Sequence, residues 1–222
     1  MGWNFAAVLF DMDGVIVDNM PLHRAVWAEF ARSYGLSPSE AELRKLDGRR
    51  AVDIIRAFFG DLDEAEVARR AKARETLYRE RLGESPLHAV PGVRNYLAAL
   101  EAAGIPRVLA TSATPDNAAT VLSRLKLENH FSARVTSVDV QRGKPDPQVY
   151  CIAAARANVS PEACLVVEDA LPGVQAAKAA GARCLGLTTS ESAERLREAG
   201  ADWLADSFEQ LPDGLRPPGT PA

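Results

Sequence analysis

The chain has 222 residues, 47% of them apolar, enough for one sizeable domain or for a domain carrying a smaller insert. A formal net charge of −4 excludes a general surface that attracts nucleic acid or anionic membrane, and no uncharged run reaches the length of a membrane span. Cys151, Cys164 and Cys184 form no CxxC pair and cannot all be matched in disulfides. With no leader-like start, they predict a cytoplasmic protein whose thiols serve as small buried hydrophobes.

In chain order, the apolar run Ala6–Phe10 predicts a strand buried on both faces. Asp11 and Asp13 follow it and precede Gly14, so both carboxylates fall at the strand's carboxyl end, where open α/β sheets bind ligands. A capping or turn pair is the alternative for this segment alone. A calcium loop is excluded, because Val15, Ile16 and Leu22 stand where it needs an oxygen ligand, glycine and Glu. From about residue 20 to 87 the pattern is helical with no convincing strand, which predicts an inserted helical domain hinged at 18–21 and 84–91. Its first helix is expected to start at Pro21, bury Leu22, Val26 and Phe30, and stop before Gly35. Another is expected over Glu64–Leu82, with Val67, Ala71, Tyr78 and Leu82 on one face and Arg74 sharing it. Arg69, Arg70, Lys72, Arg79 and Arg81 read as a solvated face.

Four further strands are expected at Val108–Ala110, Val135–Val138, Leu165–Val167 and Cys184–Leu187. The Ala-Gly pairs ending at Gly104, Gly181 and Gly200 each read as a helix end followed by the next strand. The fold class is therefore α/β, a doubly wound parallel sheet with an inserted helical cap: core residues 1–19 and 88–222, cap residues 20–87. A Pro- and Gly-rich tail from Pro212 is expected to fray. Thr111 and Ser112 close one strand at a turn suited to phosphate oxygens, or to helix capping. Lys144 lies on a stiff loop, with Asp146 expected as N-cap and Pro147 as the first helical residue. Glu168 and Asp169 end another strand. They could cap a helix, yet two acidic clusters at matching places favour an oxygen-rich Mg²⁺ site.

The elements DMDG, TS, GKPDP and ED, in this order along nearly the whole chain, resemble the haloacid dehalogenase superfamily of phosphotransferases. The likeness is strongest to the branch with a small helical cap after the first strand, which includes β-phosphoglucomutase and many sugar-phosphate and phosphoglycolate phosphatases. The resemblance implies Asp11 as nucleophile and Asp13 as general acid/base. It implies Mg²⁺ held by Asp11, the Asp13 carbonyl and Asp169, with Glu168 adjacent or orienting a ligand water. Thr111, Ser112 and Lys144 would grip the phosphoryl group. It also matches Asn19 and His23 to hinge positions that help cap closure, and Gly48-Arg49-Arg50 to the cap loop that meets substrate.

A Mg²⁺-dependent phosphatase acting on a small phosphorylated metabolite, as a monomer, is the leading expectation. The alternative is a β-phosphoglucomutase, which in this family carries Arg three residues after that glycine; here the place is Ala51. The segment Thr111–Asn117 also looks more like the phosphatases. A signalling receiver is disfavoured by length and by Asp11 on the first strand, and a catalytically idle binding module by the retention of both aspartates.

Overall fold

The computed structural model describes residues 3–219. In chain order the elements are β1 (Ala7–Phe10), α1 (Met20–Arg32), α2 (Glu40–Arg44), α3 (Ala51–Phe59), α4 (Glu64–Glu84), α5 (Val93–Ala102), β2 (Arg107–Ala110), α6 (Pro115–Leu125), β3 (Ala133–Val135), α7 (Gln148–Arg156), β4 (Cys164–Glu168), α8 (Leu171–Ala179), β5 (Arg183–Leu187), α9 (Ala193–Glu198) and β6 (Trp203–Ala205). The six strands form one parallel sheet in the order β3-β2-β1-β4-β5-β6. The chain winds outward from β1 to β3 and then returns to the other side of β1. That reversal opens a crevice above the carboxyl ends of β1 and β4.

Alternation along the strands builds two cores. Val8 and Phe10 of β1 face a cluster with α5, α6 and the C-terminal segment, while Ala7 and Leu9 face one with α7 and α8. β1, buried on both faces, is apolar throughout, and β4 is apolar up to the buried Glu168 at its carboxyl end. Between β1 and α5 the chain contributes four helices, the inserted cap, with an apolar cluster of its own around Trp27, Phe30, Ile55 and Val67. Ser39 and Glu42 form a reciprocal capping box on α2, and Asp63 caps α4 through the Glu66 N–H at 2.7 Å. At the hinge the two connections run side by side: Asp18 N–H donates to His88 O (3.0 Å) and Val90 N–H to Ile16 O (3.1 Å).

Several expectations are corrected. β3 spans residues 133–135 rather than 135–138, and Val138 is 72% exposed on the following loop. β6 was not expected, being a three-residue edge strand with a half-buried start. α1 begins at Met20, and its buried face is Val26, Trp27, Phe30 and Ala31, with Leu22 half-buried. α7 starts at Gln148 with Pro147 as its cap residue; Asp146 still accepts from the Gln148 N–H at 3.0 Å. Cys151 is exposed, whereas Cys164 and Cys184 are buried. The tail is not frayed from its start at Pro212: Leu211 and Leu215 are buried in the cluster that contains Phe10, while residues 218 and 219 are exposed. The expectation for 220–222 lies outside the described residues. No helix among those described is long and apolar enough to cross a membrane.

Candidate active site

Asp11 leaves the end of β1 buried, its N–H donating to Val167 O of β4 at 3.0 Å. The Lys144 ammonium, also buried, lies 2.6 Å from Asp11 Oδ1 and 2.6 Å from Glu168 Oε1. Tyr150 of α7 donates its hydroxyl to Glu168 Oε1 at 2.7 Å, and Glu168 Oε2 accepts the N–H groups of Asp169 (2.9 Å) and Ala170 (3.0 Å). Each Glu168 oxygen therefore has two donors, which uses the acceptor capacity of a carboxylate. Its work in this geometry is to fix Lys144 against Asp11. Helix α8 passes so close that a Cβ on Gly173 would stand 1.7 Å from Glu168 Oε1. Gly173→Ala is accordingly expected to displace Glu168 and cost about 2 kcal/mol of stability. Urea melts beside activity assays check this, and an unaltered midpoint would refute it.

Asp169 completes the acidic ridge. Both its carboxylate oxygens are buried without a hydrogen-bond partner. Oxygens of Asp11, Glu168 and Asp169 can all lie within 4.8 Å of one another. Burial pushes the Asp11 carboxyl up to about 7, with Lys144 opposing and Glu168 and Asp13 reinforcing the rise. Burial, then the neighbouring Glu168 and Asp11, also hold Asp169 well above the usual carboxylate range. One ammonium among three buried carboxylates leaves negative charge uncompensated. Orphaned hard oxygens in that setting fit a divalent cation such as Mg²⁺. Gly14, at φ +83°, lets the backbone pass where a Cβ would meet Asp169 Oδ2 at 1.9 Å.

The Asp13 side chain is not one of the three converging carboxylates. Its Oδ1 accepts from Asn19 Nδ2 at 2.5 Å and lies 3.2 Å from His23 Nε2. Burial alone would raise this carboxyl, yet His23, Asn19 and Arg74 together hold it below its ordinary value. Thr111 is buried, its Oγ1 accepting from the Ala113 N–H at 3.0 Å. Ser112 Oγ donates to Gly48 O of the cap at 2.7 Å, so its hydroxyl proton is engaged by the cap loop.

Cap and core line a partly open cavity of ≈ 60 Å³, with Asp11, Asp13, Thr111 and Ser112 on the core side. Arg74 faces it as expected: buried, 2.8 Å from His23 Nδ1, and 4.4 Å above the Trp27 ring. Arg49 lines the cavity but is exposed. Arg50 does not line it; the guanidinium bonds Asp53 and Val140 O beside a neighbouring cleft. Sequence reasoning missed Tyr150, Glu75 and Asn117. Asn117 carried one signal, its place in the first turn after Thr111-Ser112.

A family model for haloacid dehalogenase-like hydrolases matches residues 5–181. The chain belongs to the haloacid dehalogenase-like hydrolase family. Hexitol phosphatase A of Escherichia coli (strain K12) is 33% identical over 213 residues, 95% of each chain. The phosphorylated carbohydrates phosphatase of Thermotoga maritima is 36% identical over 207 residues, 92% of this chain and 96% of that one. Among solved structures, the family IA, variant 3 hydrolase from Entamoeba histolytica superposes with a TM-score of 0.83 at 29% identity, covering 94% and 96% of the two chains. This member of the family places its acids and Lys144 at the reversal of strand order beside β1 and β4.

Proposed function

We propose that this hydrolase is a Mg²⁺-dependent phosphatase that cleaves a small phosphorylated metabolite, a sugar or polyol phosphate, through an aspartyl-phosphate on Asp11. The observation that carries the reading is Asp11 held 2.6 Å from the buried Lys144 ammonium, beside the partnerless oxygens of Asp169, at a cavity lined by core and cap. The names of the relatives support the substrate class. A cytoplasmic monomer with no nucleic-acid or membrane partner suits such a task.

In this reading Asp11 attacks phosphorus and the bond from phosphorus to the ester oxygen breaks. The leaving oxygen takes its proton from Asp13. Asp13, now a carboxylate, accepts a proton from the water that attacks the phospho-aspartate, and free phosphate leaves with Asp11 restored. The contacts from Asn19 and His23 favour that second, proton-accepting form. Lys144 and Thr111 hold the phosphoryl oxygens, with Ser112 joining when Gly48 releases its hydroxyl. Asp11, Asp169 and the Asp13 carbonyl would hold Mg²⁺, whose charge offsets the repulsion between anionic nucleophile and anionic substrate. Glu168 serves as the anchor of Lys144 rather than as a ligand.

A mutase must shield its phospho-aspartate from water while gripping a second phosphate, a task suited to the planar fork of Arg. Ala51 stands on the cavity at the mutase position. Given β-glucose 1-phosphate with a trace of the 1,6-bisphosphate, the protein is therefore expected to release inorganic phosphate faster than it forms glucose 6-phosphate. A phosphate assay run beside a coupled dehydrogenase assay measures both. Glucose 6-phosphate forming many times faster would replace this reading with the mutase.

A further inference from the structure

Part of the cavity wall is built by two side chains from different parts of the fold, Glu75 and Asn117. Glu75, on α4 of the cap, is buried, and its Oε1 accepts from Arg74 at 3.1 Å. Its Oε2 accepts from Nδ2 of Asn117, a buried residue on α6 of the core. Arg79 donates to Asn117 Oδ1 at 3.2 Å, so donor on one side and acceptor on the other fix the orientation of the amide. Glu75, Arg74 and Asn117 all line the cavity.

The hydrogen-bonding capacity of this wall selects a chemistry. A carboxylate offers about four acceptor positions and the protein uses two on Glu75, so two remain for donors from a ligand. Beside it, Arg74 Nε is buried without a partner and offers a donor. A hydroxyl satisfies both at once, since it donates and accepts. A carboxylate or second phosphate can only accept, and it would meet Glu75 as a like charge. Arg74 is a poor counterweight, since Glu75, His23 and the Trp27 face already share its guanidinium. Asp47, another acid lining the cavity, takes both Arg24 donors on Oδ2 (3.0 and 2.5 Å) and adds to the negative charge that a second anion would meet. Arg49 is exposed at the rim, where solvent and salt screen it.

We infer that Glu75 is the specificity-determining residue of the site: it reads hydroxyl groups on the non-reacting end of the substrate and excludes a second anion, so the substrate is a polyol bearing a single phosphate. This rests on the phosphatase reading above. The test compares kcat/KM for sorbitol 6-phosphate, whose tail is neutral and hydroxylated, with that for 2-phosphoglycolate, whose tail is a carboxylate. A ratio cancels any partial loss of folded enzyme. Wild type is expected to favour sorbitol 6-phosphate, and Glu75→Gln to lower the ratio roughly thirtyfold through a raised KM for the polyol and a lowered one for the acid. Glu75→Asp, which keeps the carboxylate, should retain more of the ratio. Asn117→Ala should raise KM for the polyol without improving the acid. A ratio within about threefold of wild type in Glu75→Gln, when wild type hydrolyses sorbitol 6-phosphate, overturns this inference alone. Release of no phosphate by wild type from either ester or from p-nitrophenyl phosphate overturns the phosphatase reading with it.

Discussion

Asp11→Asn is expected to cut phosphate release from every accepted substrate by about four orders of magnitude or more, while the protein stays folded. Asparagine matches the size of aspartate but has no anionic oxygen to form the phosphoryl bond. Asp13 cannot take over, because its carboxylate is held by Asn19 and His23. The fold should tolerate the change, because Asp11 is ionised at a cost: burial outweighs Lys144 and lifts its carboxyl to about 7. Between about pH 4 and 7 the native side chain keeps a proton that the unfolded chain has released. The native state binds more protons there, and metal-free stability attributable to Asp11 falls as pH rises through that window. Asp11→Asn removes this contribution. In EDTA, its melting temperature should therefore gain on wild type between pH 5 and pH 8. Phosphatase activity within tenfold of wild type would sink the nucleophile assignment; parallel melting curves across that range would sink the account of Asp11 burial.

What could be read from the sequence was chemistry written contiguously. A strand buried on both faces is an unbroken apolar run, and the residues that follow it fall at the ligand-binding end, so Asp11, Thr111 and the pair Glu168-Asp169 could be placed without coordinates. Arg74 was legible for a similar reason: helical periodicity put a cation on a face that had to turn inward. Contacts between segments distant in sequence were not legible. The partners of Glu168 were not legible: Tyr150, eighteen residues away, and two backbone N–H groups occupy its oxygens beside Lys144. The Glu75 to Asn117 contact joins cap to core over 42 residues, and neither side chain announces the other. The short edge strand β6 and the displaced β3 escaped because Val138 is apolar yet exposed, and three residues carry too little pattern to identify a strand.

Chelation is expected to lower activity by about three orders of magnitude or more, with Mg²⁺ restoring it, since an anionic nucleophile must otherwise approach an anionic phosphate. The residue that should answer for metal affinity is Asp169. Lys144 is shared between Asp11 and Glu168, whereas both Asp169 oxygens are buried with no partner at all. Asp169→Asn removes one hard anionic oxygen and is expected to weaken Mg²⁺ binding about a hundredfold or more, more than loss of an outer hydrogen bond to a ligand would. Calorimetric titration of the folded protein reads this without relying on turnover. The same substitution removes a buried charge that Ser190 and Lys144 offset less than burial and the neighbouring carboxylates oppose it, so metal-free Asp169→Asn should melt no lower than wild type. The pH dependence follows from the raised Asp11 and Asp169 carboxyls. Both must release protons before they can hold a cation, so Mg²⁺ should raise the wild-type melting temperature more at pH 8 than at pH 5.5. Full activity after exhaustive EDTA treatment, or a Mg²⁺ affinity unchanged in Asp169→Asn, would remove the metal from this site.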